Sequence, residues 1–178
     1  MDGDGQPVIG VSWEEAVAFA EWLSERSGER LRLPTEAKWE YAARAGTATA
    51  RYWGEDSAAA CVHANVHDET SKRTLNFTHE HHACDEGFAV TAPVGRFQPN
   101  DVGLYDLLGN VWEWTCSEYD EAYGGEEGRC ADEAASGSRM VRSGSWTNVP
   151  PRVRAANRLW GRPGTRNFYL GFRLARTL

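Results

Sequence analysis

Five histidines, four cysteines and one carboxylate set between two tryptophans are the residues of this 178-residue sequence best equipped for chemistry. The histidines are His63, His67, His79, His81 and His82, and Cys61 and Cys84 flank them. Thiolate and imidazole together suit zinc, but this spacing matches no familiar finger, and exposed loop histidines are the favoured reading. The cysteines, Cys61, Cys84, Cys116 and Cys130, allow three pairings. Local order favours Cys61 with Cys84 and Cys116 with Cys130, against buried free thiols. Each bridge would restrict the unfolded chain by roughly 3 kcal/mol in the loop-entropy picture. Glu113 lies between Trp112 and Trp114, so in an extended segment the rings point one way and the carboxylate the other. A buried carboxylate needs a cation or an arginine, and Arg142 and Arg173 are candidates for the latter.

Charge is unevenly spread. The net charge is −7, yet Arg139 to Leu178 holds nine Arg and neither Lys nor acid, which leaves −16 on the remainder. Such polarity can mark a surface for anions or nucleic acid. Here the arginines alternate with apolar residues, which favours neutralisation inside one fold. Nucleic acid is therefore the least favoured partner.

The elements that must position these groups are few. Ser12-Trp13-Glu14-Glu15 reads as a capping box. Trp13, Ala16, Val17, Ala20 and Leu23 then share a helical face, and Gly28 is the stop. A second short helix starts from Thr35 after Pro34, passes Trp39 and Tyr41, and ends near Gly46. From Thr47 to Pro93 the chain is polar and aperiodic, a loop long enough to need a function, a metal or a disulfide. Strand candidates are Met140 to Arg142, Val153 to Ala156 and Gly171 to Ala175, with a second loop between Asp120 and Gly137. The expected class is α+β with long ordered loops, and 178 residues suit one domain spanning residues 1–178. Eight Trp and eighteen Gly fit a loop-rich fold anchored by large aromatics. No apolar run is long enough to span a membrane, and Met1-Asp2-Gly3-Asp4-Gly5 reads as no signal peptide.

Several segments, in order, resemble the formylglycine-generating enzymes (sulfatase-modifying factors). They are Pro7-Val8 with Val11-Ser12-Trp13, then Arg32-Leu33-Pro34-Thr35-Glu36-Ala37-Lys38-Trp39-Glu40-Tyr41-Ala42-Ala43-Arg44, and Ala92-Pro93-Val94 with Pro99-Asn100. Gly103-Leu104-Tyr105-Asp106 follows, leading to Gly109-Asn110-Val111-Trp112-Glu113-Trp114. Arg142 with Gly144-Ser145-Trp146, and Gly171-Phe172-Arg173-Leu174, complete the series. The resemblance implies a C-type-lectin-like domain with little regular structure. The family's portion ahead of Pro7 has no counterpart here.

The resemblance also implies sites. Calcium would be held by Asp106, Gly109, Val111 and Glu113, with Gly109 and Val111 acting through backbone carbonyls. A second set would be Asn65, Val66, Glu86 and Phe88, where the family has Asp in place of Glu86. Hard oxygen donors of this kind suit calcium. Members that oxidise cysteine to formylglycine carry two cysteines after the Gly-Ser-aromatic motif. Asn148 and Val153 stand near those places here, and neither can bind copper as a thiolate. Relatives that use histidine-bound iron do so through a helical domain this sequence lacks. On these grounds the expectation is a non-enzyme without a catalytic cofactor, structural calcium aside.

Residues 147–169 resemble the variable region of proteins diversified by retroelements. Framework residues alternate there with Thr147, Val149, Arg152, Leu159, Trp160, Gly161, Arg162, Thr165, Phe168 and Tyr169. Most of these types can arise from adenine changes in an Asn codon. Aromatics mixed with arginine are what protein-binding surfaces use. The expected function is a non-catalytic scaffold displaying this face to a protein or cell-surface ligand, and the alternative is a divergent enzyme of the family. A monomer is expected, in an exported, surface-exposed or phage-associated setting, with the cytoplasm left open.

Overall fold

A computed structural model describes residues 5–132 and 134–177. Its elements are α1 (Trp13–Ser27), β1 (Leu31–Arg32), α2 (Glu36–Arg44), α3 (Ala60–His63) and α4 (Glu69–Leu75). They are followed by β2 (Trp112–Glu118), β3 (Arg139–Arg142), β4 (Leu159–Gly161), β5 (Leu170–Phe172) and β6 (Ala175–Arg176). Two compact units result. One holds residues 40–112 and 143–157 with the start of the chain, and the other holds residues 8–39, 113–142 and 158–178. Among the described residues no helix is long and apolar enough to cross a membrane.

The expected start of α1 is present. Glu15 N–H donates to Ser12 Oγ and Glu15 Oε2 accepts from Ser12 N–H at 2.9 Å, while Gly28 closes the helix in the left-handed region. Thr35 caps α2 by accepting from Lys38 N–H at 3.3 Å. Two helices were expected and the described residues hold four α-helices, because α3 and α4 fall in the stretch that looks featureless in sequence. α4 has no apolar stripe and is held by its cap, in which Asp68 and Ser71 exchange side-chain and backbone hydrogen bonds. Both disulfides form with the expected pairing, Cys61–Cys84 and Cys116–Cys130.

In the second unit a four-stranded sheet runs in the order β4-β3-β2-β5, and β1 pairs with β6. β3 contains the expected Met140–Arg142 strand. The expected strand from Val153 to Ala156 is instead a turn following a short 3-10 helix at Pro150–Arg152, and the strand comes later, at β4. Buried Val153 and Ala155 flank exposed Arg154, which imitates the period of a strand. β2 is buried along nearly its whole length. Trp114 donates from Nε1 to the Val11 carbonyl at 3.1 Å, and Trp13 donates to the Thr115 carbonyl at 2.9 Å. These indole bonds tie α1 and the chain before it to β2.

Buried charge organises this unit. Glu36, 1% exposed, accepts from Arg158 Nε and Nη2 at 2.7 and 2.9 Å, and Arg142 Nη1 lies 3.4 Å away. Glu113 accepts from Arg173 Nε and Nη2, both at 2.6 Å, and from Trp39 Nε1–H at 2.6 Å. Of the two arginines proposed for Glu113, Arg173 is the partner. Arg142 serves Glu36 and lies over the Trp39 ring at 5.4 Å. Arg139 donates to the carbonyls of Gly137, Asp132 and Ala135. Farther out, Arg166 pairs with Glu15 and Arg176 with Glu29. The basic tail therefore works mainly as internal counter-charge. Removing one partner of a buried pair costs about 3–5 kcal/mol. Glu36→Ala should accordingly lower the Tm by about 10 °C, while Glu29→Ala, which opens an exposed pair, should change it by no more than about 2 °C. Thermal melts of the two variants check this, and equal shifts would contradict it.

Candidate functional site

The first unit contains the second of the two expected oxygen sets. Asn65 and Val66 follow α3, and both are fully buried. Gly109 packs against them so closely that a Cβ on it would stand 2.4 Å from the Asn65 carbonyl oxygen. That oxygen accepts from Asn110 N–H at 2.8 Å. The glycine is thus needed for close approach of two backbones. Asn65 Nδ2 donates to the Val90 carbonyl and to Asn110 Oδ1, at 2.8 and 3.2 Å. Its own Oδ1 is buried with no hydrogen-bond partner.

Glu86 completes the set. Its Oε2 accepts from Phe88 N–H at 3.0 Å, and Val66 N–H also points to its carboxylate. Oε1 is buried with no hydrogen-bond partner. Burial pushes this carboxyl up to about 8, and the neighbouring Asp68 and Asp85 carboxylates add to the shift. Two bare buried oxygens beside further negative charge are what a hard cation would satisfy. The donors fit calcium, with Asn65 and Glu86 contributing side chains and Val66 and Phe88 contributing carbonyls.

In the other expected set the Glu113 carboxylate is already paired. Asp106, Gly109 and Val111 belong to the first unit and Glu113 to the second. Asp106 Oδ2 accepts from Gly95 N–H at 2.7 Å. Both oxygens of Glu113 are engaged by Arg173, so that carboxylate brings no uncompensated charge to a metal.

The zinc reading is corrected. Cys61 and Cys84 are joined to each other and offer no thiolate. Among the described residues no group of three or more His, Cys, Asp or Glu side chains is placed to hold a metal. The histidines pack instead. The His67 ring lies 4.4 Å from that of His79 and 5.9 Å from that of His81. His67 Nδ1 is 2.8 Å from Ser71 Oγ, and burial with these neighbouring imidazoles lowers its pKa to about 4. Burial lowers His82 as well. Nothing in the spacing of the histidines announces this; the Asp68-x-x-Ser71 cap was the available signal.

The C-terminal candidates divide by unit and exposure. Thr147 and Val149 are half-buried and Arg152 is exposed, all in the first unit. Leu159, Trp160, Arg162, Thr165 and Phe168 are exposed in the second, and Tyr169 is half-buried against Phe168. Trp160 is 52% exposed on β4, the edge strand, with its ring 6.1 Å from that of Tyr119. Gly161 does not belong with the displayed positions. It is buried, and a Cβ there would stand 2.8 Å from the Trp114 indole. Sequence reading passed over Tyr123, half-exposed with Arg158 3.9 Å above its ring.

Comparison with known proteins defines the class. The sulfatase-modifying factor enzyme 1-like domain model matches residues 2–178, and the chain belongs to that family. The formylglycine-generating enzyme of Thermomonospora curvata is 34% identical, over 98% of this chain and 56% of that protein. The inactive C-alpha-formylglycine-generating enzyme 2 of Bos taurus is 35% identical, over 95% and 50%. PvdO from Pseudomonas aeruginosa superposes with a TM-score of 0.83 at 32% identity, covering all of this chain and 64% of that one. Treponema denticola variable protein 1 gives 0.77 at 24% identity, over 96% and 70%, and shares the fold. The fold is the C-type-lectin-like α+β architecture of this family. The chain spans about half the length of the curated relatives it matches.

These findings correct the expectation of a non-enzyme. The formylglycine-generating enzymes among the relatives are 34–40% identical, although inactive members stand beside them. The thiolate chemistry of the family still has no residues here. All four cysteines are in disulfides. Asn148 uses Oδ1 to accept from Ser145 N–H at 2.7 Å, and its carbonyl accepts from His67 N–H at 3.2 Å. Val153 is fully buried. A copper ion held by a thiolate pair does not fit this site.

If calcium occupies the Asn65–Phe88 set, a concentration about a hundredfold above its Kd adds about 2.7 kcal/mol. Chelation should then lower the Tm by about 5–10 °C, and Glu86→Gln should abolish the response. Identical melts of the wild type with and without chelator would remove calcium from the account.

Proposed function

We propose that this chain is a divergent enzyme domain of the sulfatase-modifying family that engages a polypeptide ligand through the exposed part of its C-terminal segment, with Trp160 as the anchor. The supporting observation is the setting of Trp160. Gly161 seats β4 against Trp114, so the strand is fixed while the neighbouring indole faces solvent. A rigid, exposed aromatic is the kind of residue that dominates protein-binding surfaces. Exposed Arg162 and Phe168 extend the choice of contacts. Leu159, Trp160, Arg162, Thr165 and Phe168 can also vary without opening the core, as a diversified segment would require. Calcium in the Asn65–Phe88 set is part of the same proposal, as a structural ion.

Panning a random peptide library on the folded protein supplies the probe. Trp160→Ala should weaken the selected peptides about 30-fold, the loss of a hot spot of about 2 kcal/mol, at unchanged Tm. Affinity untouched by Trp160→Ala would remove the surface from the proposal.

A further inference from the structure

We propose that the Cys61–Cys84 disulfide and the Asn65–Phe88 calcium site form one coupled unit, so that oxidation tightens calcium and calcium protects the bridge. The proposal rests on the calcium reading above. Its donors come from two short segments, Asn65-Val66 and Glu86-Phe88. Cys61 lies just before the first and Cys84 just before the second, so the covalent bridge joins the two segments at their shared upstream end.

The mechanical link is short on both sides. Cys61 lies in α3, whose Ala64 N–H donates to the Ala60 carbonyl at 2.8 Å immediately before Asn65. The Tyr52 hydroxyl holds the His63 carbonyl at 2.9 Å. On the other side, the Cys84 carbonyl accepts from Glu69 N–H at 3.1 Å, and Glu86 N–H donates to Asp68 Oδ2 at 2.9 Å. Thr70 donates to Asp85 at an exposed position. Without the bridge, these bonds to the start of α4, the Val66 N–H to Glu86 bond, the Asn65 Nδ2 bond to the Val90 carbonyl and the 2.7 Å bond from His82 N–H to the His67 carbonyl must hold the two segments together. The cation would then have to supply the ordering that the bridge provides in the oxidised protein.

Linkage makes the effect reciprocal, with the same factor in both directions. Calorimetric titration with calcium chloride should give a Kd at least about 10-fold weaker for the Cys61→Ser/Cys84→Ser double variant than for the oxidised wild type. This is a modest share of the hundredfold or more that the loop-entropy model allows for a loop of this size. A second measurement avoids the variant. In a dithiothreitol redox buffer, calcium should shift the Cys61–Cys84 equilibrium toward the disulfide by that same factor and leave Cys116–Cys130, in the other unit, where it was. Equal calcium affinities, or a calcium-independent redox equilibrium, would overturn the coupling while leaving the site. No calcium binding to the oxidised wild type would overturn the site itself, and the coupling with it.

Discussion

An ionised carboxylate taken out of water must be met by positive charge or by several donors, and this requirement organises the second unit. In the second unit it is met from within the chain. Glu36 and Glu113 are 1% and 4% exposed. Arg142 on β3, Arg158 just before β4 and Arg173 between β5 and β6 reach them. Trp39 ties the two together, donating to Glu113 and lying beneath Arg142. Elements distant in sequence are thereby held in register by charges that cannot be left unpaired. In the first unit Glu86 is also sheltered, but its surroundings are acidic and one of its oxygens has no donor. The calcium ion proposed above would supply the missing charge there.

The same logic sorts the C-terminal arginines from the residues around them. Guanidiniums engaged by Glu15, Glu36, Glu113 and Glu29 are framework. Between them Trp160 and Phe168 remain about half exposed, and they are the side chains the proposal offers to a ligand. Gly161 marks the border, since it is next to the exposed indole and yet has no room for a methyl group. Family membership brings enzymes into view, but all four cysteines here are in disulfides, while Asn148 braces its own turn and Val153 is buried. Any reaction this domain performs must use other groups.

Much of the framework was legible in the residues, and the reasons for the rest are physical. α1 announces itself through a capping box and an apolar face, and the cysteine pairs follow local order. α4 has polar residues throughout and depends on Asp68 and Ser71, so periodicity could not find it. β2 is buried on both sides, which erases the alternation a half-buried strand shows. The turn at Val153 to Ala156 deceives in the opposite sense, by alternating burial without being extended. Sequence placed Glu113 beside an arginine or a cation and left that choice open. Only the side-chain geometry shows Arg173 on it and so leaves Glu86 as the carboxylate without an arginine.

The most direct test of this account of charge is a crystal of the oxidised protein soaked in terbium, which replaces calcium at oxygen sites and scatters anomalously. The account predicts an anomalous peak coordinated by Asn65, Val66, Glu86 and Phe88, with the Glu113–Arg173 pair undisturbed. A peak bound by Glu113 with Arg173 displaced, or no peak beside Glu86, would contradict it.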